Sequence, residues 1–154
     1  MIGDLHHVTV SVADLDQALR FYRDALGMRA VAEFAFDDEE HQVYMGLPKG
    51  AHGRAVALRT GRPPASGITL VQVEPGQEPL PHATLEPGGQ MLAFEVPSAD
   101  DVDGLHERLT SAGYAAVSEP LWAEVKGFGR IRGVALRDPD GSLIEFYAPE
   151  EATT

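Results

Sequence analysis

The chain repeats itself, and that repeat limits what it can fold into more than any other feature. His7-Val8-Thr9-Val10-Ser11-Val12 and Met91-Leu92-Ala93-Phe94-Glu95-Val96 are alternating segments, each followed by a helix-capping residue, Asp14 or Ser98, at the same spacing. Further on, Arg54-Ala-Val-Ala-Leu-Arg59 returns as Arg132-Gly-Val-Ala-Leu-Arg137. Leu70-Val71-Gln72-Val73-Glu74-Pro75 aligns with Ile144-Glu145-Phe146-Tyr147-Ala148-Pro149. A half of a 154-residue chain is short for a core of its own. The expectation is therefore one domain in which two modules pack about a pseudo-twofold axis and share a cleft.

Composition excludes several chemistries. With no cysteine there are no disulfides, thiolate metal sites or cysteine nucleophiles, so any metal must be held by nitrogen and oxygen. Twelve basic against 24 acidic side chains give a formal charge of −12, which repels phosphate backbones and anionic membrane surfaces and argues against nucleic acid or a membrane as partner. No uncharged apolar run reaches the roughly 18 residues of a membrane span. Met1-Ile-Gly-Asp4 lacks the basic and apolar regions of a signal peptide, so a cytoplasmic location is expected. The acidic run Asp37-Asp-Glu-Glu40 reads as a solvated turn.

Periodicity places the elements. Residues 6–12 alternate as a half-buried strand, with His7, Thr9 and Ser11 on one face. From Asp14 to Leu26 the pattern turns helical, with Asp14 as cap, Gln17 three residues on and an apolar stripe of Leu15, Ala18, Leu19, Tyr22 and Leu26 ending at Gly27. Strands are predicted near 28–36, 42–47, 54–60 and 68–74. The second copy reads as strand 91–96, a helix from Ser98 to about Ala112 stopped by Gly113, and strands near 114–118, 130–137 and 142–148. Each module is thus βαβββ, at about 1–76 and 89–150, with a Pro- and Gly-rich connector at about 77–88.

The segment from His7 through Leu19-Arg-Phe-Tyr-Arg-Asp-Ala-Leu-Gly-Met28 resembles the opening of the vicinal oxygen chelate superfamily, and Asp138-Pro-Asp-Gly-Ser-Leu-Ile-Glu-Phe146 resembles its closing motif. That superfamily includes glyoxalases, extradiol dioxygenases, fosfomycin-modifying enzymes and bleomycin resistance proteins. The resemblance implies an α+β fold in which two paired βαβββ modules form a cupped mixed sheet. It also implies, in the enzymes, a divalent metal in the cleft that a substrate chelates through neighbouring oxygens. The positions it carries onto this chain are His7, Val71, Met91 and Glu145.

Only His7 and Glu145 are ordinary metal ligands, with Glu145 able to double as a catalytic base. Val71 cannot bind a metal, and the Met91 thioether is a soft ligand ill suited to the Fe, Mn, Ni or Zn the family uses. The Val71 match is gapped. A one-residue slip would bring Gln72 inward instead and complete a set of His7, Gln72 and Glu145. Each residue also has a plain reading: one of His6 and His7 as a satisfied interior histidine, Glu145 as half of a structural ion pair. His41 and His52 fall in a loop-rich stretch near the cleft mouth. His82 and His106 read as solvent-facing. Lys126, Arg130 and Arg132, beside Trp122 and Phe128, form a basic cluster that suits an anionic or aromatic group, or merely covers a strand end.

Two functions follow. One is a metal-dependent lyase, isomerase or dioxygenase with an atypical or incomplete site formed by His7 and Glu145. The other is a protein without a metal cofactor whose cleft, lined by Val71, Met91 and aromatic side chains, sequesters a small molecule. The resemblance further implies a homodimer, for which exposed sheet edges give a physical motive.

Overall fold

The computed structural model describes residues 6–44, 46–61, 67–75, 90–126 and 129–150. The chain divides into two compact units, Met1–Leu80 and Pro81–Thr154. The connector predicted at 77–88 lies outside the described residues.

Unit 1 is built on a four-stranded sheet: β1 (His7–Ser11), β2 (Arg29–Phe36), β3 (His52–Arg59) and β4 (Gly67–Glu74), in the order β1-β4-β3-β2. β1 runs parallel to β4, and the other pairs are antiparallel. Helix α1 (Leu15–Leu19) follows β1 and continues as a π-helical turn, Arg20–Ala25. Asp14 caps α1, its carboxylate accepting the Gln17 backbone N–H at 2.9 Å. The wider turn is closed by the Leu26 N–H on the Phe21 carbonyl, and Gly27 ends it at φ 75°. It lodges Phe21 and Tyr22, edge to face with centroids 4.9 Å apart, in the core.

That core lies between α1 and the sheet. Val56, Leu58, Ile68 and Leu70 point to the helix side and are buried with Leu15, Ala18, Phe21 and Tyr22. The alternate residues on the same strands point the other way, as the pleat requires.

One element departs from expectation. Residues 42–47, predicted as a strand, hold the end of a short helix, α2 (Glu39–Tyr44). The carboxylates of Glu39 and Glu40 sit in its first turn, where the exposed N–H groups favour negative charge. Gln42, not Val43, is the buried residue. The Gln42 amide donates to the Ala51 carbonyl at 2.9 Å and accepts from the Gly50 N–H at 3.1 Å, while Val43 is 74% exposed. Alternation alone could not foresee a buried amide tying down a loop.

Unit 2 repeats the plan with β5 (Met91–Glu95), α3 (Ala99–Ser111), β6 (Leu121–Val125), β7 (Gly129–Arg137) and β8 (Leu143–Pro149), in the order β5-β8-β7-β6. Ser98 caps α3 by accepting the Asp101 N–H at 3.2 Å, and Gly113 (φ 91°) ends the helix. Val102 and Leu109 on α3 are buried, as are Val134, Leu136, Ile144, Phe146 and Ala148 on the strands. The strand expected at 114–118 is only a single bridge, Ala116 to Leu136; the edge strand is Leu121–Val125 instead. Both units thus combine a mixed sheet with a helix on one face, the α+β arrangement of a βαβββ module.

The Asp138-Pro-Asp-Gly segment is the turn that aims β8. Asp138 is 5% exposed, and its Oδ1 accepts the N–H groups of Asp140 and Ser142 at 3.0 and 2.8 Å. Gly141 supplies the positive φ (90°) that the reversal needs.

Deleting core methyl groups tests which face is buried. Leu58→Ala and Leu109→Ala should each cost about 2–5 kcal/mol in urea unfolding, the usual range for a buried leucine. A loss below about 1 kcal/mol would place the core elsewhere.

Candidate functional site

The face of each sheet turned away from its helix carries the candidate residues. In unit 1, β1 presents His7, Thr9 and Ser11 there, β4 presents Thr69, Val71 and Val73, β3 presents Ala55 and Ala57, and β2 presents Phe34 and Phe36. Together with Leu47 they line an open groove of about 1020 Å³. Its floor is apolar: Phe36, Ala55 and Val71 form a small buried cluster with Leu47 and Val73 against it. Gly53 makes room for the Phe36 ring, since a Cβ there would lie 2.7 Å from Cζ. Polar groups border it, with His6, His7, Glu40 and Arg59 among them.

His7 is exposed on this face, and its hydrogen bond is to its neighbour, the two Nδ1 atoms of His6 and His7 lying 2.8 Å apart. Gln72 is on the other face. Its Oε1 accepts the Leu15 N–H at 2.8 Å, a second cap on α1, and its amide donates to Glu74 at 2.8 Å. The slip that would have brought Gln72 beside His7 does not occur, because the Gln72 side chain serves the helix end.

In unit 2 the corresponding face presents Met91 and Glu95 from β5, and Leu143, Glu145 and Tyr147 from β8. Met91 is 36% exposed. The Tyr147 hydroxyl donates to Glu95 at 3.4 Å. Burial first, and the neighbouring Glu95 charge second, push the phenol above its ordinary range.

Trp122 and Arg130 do not join Glu145. Trp122 is opposite Arg132, and Arg132 reaches α3, where it donates to Asp103 at 2.8 and 3.0 Å. The Trp122 ring carries Arg130 at 4.9 Å and Arg132 at 6.0 Å, and Arg130 pairs with Glu150 at 2.9 Å. Trp122, Arg130 and Arg132 therefore decorate the helix side of the sheet, and both guanidiniums are partnered by protein carboxylates. No strand is predicted from sequence at 121–125, which hides the alternation that separates Trp122 from Glu145.

The remaining histidines stand apart. His52 begins β3 on the exposed rim, and the His41 side chain, His82 and Phe128 lie outside the described residues. His106, expected to face solvent, is largely covered, its Nε2 lying 3.9 Å from Glu119. α3 turns that side of itself toward the 114–120 segment rather than outward.

The registers of the two sheets correct one match. His7 is opposite Gly67 and Thr9 opposite Thr69; Met91 is opposite Leu143 and Ala93 opposite Glu145. Across the sheet Ala57 faces Thr69 just as its repeat partner Ala135 faces Glu145. The Val12 and Val96 N–H groups likewise close on the carbonyls of Val71 and Tyr147. The unit 1 counterpart of Glu145 is thus Thr69, and Val71 corresponds to Tyr147. The gapped match anchored on Pro75 and Pro149 was two residues out, which preserves the face but changes the residue. An ungapped match of Ile68-Thr-Leu-Val71 to Ile144-Glu-Phe-Tyr147 was the signal that could have found it.

Residues 4–146 match the family described as the Glyoxalase/Bleomycin resistance protein/Dioxygenase superfamily. The chain belongs to that superfamily. The Bacillus subtilis (strain 168) protein YycE, itself uncharacterised, is 27% identical over 135 residues, covering 86% of this chain and 78% of that protein. A glyoxalase family protein of Bacillus cereus superposes with a TM-score of 0.75 at 20% identity, covering 96% of this chain and 95% of the other. The genomically encoded fosfomycin resistance protein FosX of Listeria monocytogenes, solved with Mn(II) and sulfate, gives 0.63 at 19% identity over 96% and 93%. These two structures share the superfamily fold.

With the register corrected, the four positions are His7, Thr69, Met91 and Glu145. They do not fit the hard or borderline ion expected of a superfamily enzyme. A neutral hydroxyl and a soft thioether stand where two of the ligands would be, and three nitrogen or carboxylate donors are the usual minimum for an ion that keeps an open position. Among the described residues no group of three His, Asp or Glu side chains is arranged to hold a metal.

The Tyr147 surroundings give a titration test. A phenol whose value is raised on folding contributes stability that is complete below its ordinary value and lost as pH rises through the raised one. The difference between ultraviolet titrations of the chain and its Tyr147→Phe variant should show a midpoint above that of free tyrosine. Glu95→Gln should lower it without restoring the free value, because burial is the larger cause. A midpoint at the free value would contradict the contact.

Proposed function

We propose that this superfamily member is a small-molecule binding protein whose groove on unit 1 takes a mostly apolar ligand without a catalytic divalent metal. The observation that supports it most is the lining. Val71, Phe36 and Ala55 form a buried apolar floor at the heart of the face where the superfamily's enzymes place ligands, and the groove's volume suits a drug-sized molecule. Phe34 is 43% exposed beside it, a large aromatic surface on offer to a ligand. The charge of −12 disfavours anionic ligands at long range. Val71 and Thr69 serve as binding residues in this reading, and Gln72 as the prop of α1.

The enzyme reading keeps two supporting observations. His7 and Glu145 each present a side chain on the helix-free face of their sheet, and FosX of the same fold was solved with Mn(II). Homodimer formation is also proposed, since β1, β2, β5 and β6 end their sheets among the described residues and leave edges to be paired.

The neutral solvatochromic dye Nile red probes the groove directly. It should bind the full chain with a blue-shifted, enhanced emission. Phe34→Ala should weaken binding roughly five- to tenfold by removing aromatic contact area, while Trp122→Ala leaves it unchanged. No binding, or a loss that follows Trp122, would sink this reading. Thermal melting of chelator-treated chain with Mn, Fe(II), Ni or Zn should show no midpoint rise that depends on His7. A real site at a hundredfold excess of ion would add about 2.7 kcal/mol. A rise of several degrees that His7→Ala abolishes would establish the enzyme reading instead.

A further inference from the structure

We infer that Thr69 is the specificity residue of the groove: its hydroxyl, together with those of Thr9 and Ser11, reads a neutral oxygen on the ligand. This rests on the binding reading above and assigns its ligand a chemistry. Thr69 is 8% exposed and stands at the position that a carboxylate, Glu145, occupies in unit 2. Thr9 is its direct cross-strand partner on β1, and Ser11 is opposite Val71 one step along the same face. Adjacent strands lie about 4.8 Å apart, so these hydroxyls make one continuous edge.

None of the three hydroxyls has a hydrogen-bond partner among the described residues. Thr9 and Ser11 are exposed and all three residues line the groove, so these hydroxyls are open to a partner that enters it. On the other side of Thr69 the lining is apolar, with Ala57 opposite it on β3 and Val71 two residues along β4. A threonine hydroxyl both donates and accepts but carries no charge, so it suits a carbonyl, ether or hydroxyl better than a carboxylate or phosphate. The ligand class is thus an uncharged, largely apolar molecule with oxygen along one edge. Its hydrocarbon body lies on Phe36, Val71 and Ala55, and its oxygen meets Thr69.

Two probes separate this inference from the reading it rests on. Nile red carries a ring carbonyl and oxygen; diphenylhexatriene is a pure hydrocarbon of comparable length. Both should bind the full chain if the groove is a binding site, and failure of both would remove the binding reading itself. Thr69→Val keeps the shape and removes the hydroxyl. It should weaken Nile red about three- to tenfold, the worth of one hydrogen bond, and leave diphenylhexatriene unchanged or slightly tighter. Thr69→Ser, which restores a hydroxyl, should recover most of the Nile red affinity. Equal losses for both probes would show a merely structural residue. No loss for Nile red, with both probes bound, would overturn the hydroxyl edge while leaving the groove in place. Thermal melting of each variant checks that the sheet is intact.

Discussion

In each unit the first strand lies parallel to the last, and the register of that pair decides which side chains face away from the helix. β1 against β4 and β5 against β8 use the same offset, set by the N–H of Val12 or Val96 on the carbonyl of Val71 or Tyr147. A parallel pair cannot be joined by a tight turn, so the chain must leave the sheet, and α1 or α3 fills that crossover while covering one face. That helix leaves the other face uncovered. Gln72 ties the two roles together in unit 1: it sits on β4 between groove residues Val71 and Val73, yet its side chain reaches through to cap α1.

Much of this plan was legible in the residues. The strong alternation of His7–Ser11 and Met91–Glu95, the capping residues Asp14 and Ser98 and the stops at Gly27 and Gly113 each depend on neighbours in sequence, and each appears where periodicity and cap chemistry put it. The failures are non-local. Gln42 is buried because a loop carbonyl and a loop N–H, at Ala51 and Gly50, need it. Trp122 lies on the helix side because its strand pairs with Arg132, whose guanidinium is claimed by Asp103. Thr69 was missed because a proline match outweighed a subtler ungapped one, and only the pairing of Ala57 and Ala135 with their neighbours decides between them.

The groove's chemistry follows from the same register. Had the offset matched Val71 to Glu145, the ligand-facing position of β4 would be a hydrocarbon and the site half inert. With Thr69 in that place, unit 1 offers an imidazole and a row of hydroxyls bordering an apolar floor. Such a lining recognises neutral polar edges on an apolar body, and it lacks the concentrated negative charge that would hold a divalent ion. The fold leaves one face of the unit 1 sheet open, and the side chains on that face set what it could bind.

Methyl-resolved NMR of the full chain during titration with Nile red tests most directly which face the ligand uses. The methyl groups of Thr69, Val71, Ala55 and Ala57 should shift strongly and together, while those of Val56, Leu58, Ile68 and Leu70, on the same strands but beneath the helix, should move little. Shifts centred on the helix-side methyls, or on unit 2 alone, would contradict the placement of the ligand in the unit 1 groove.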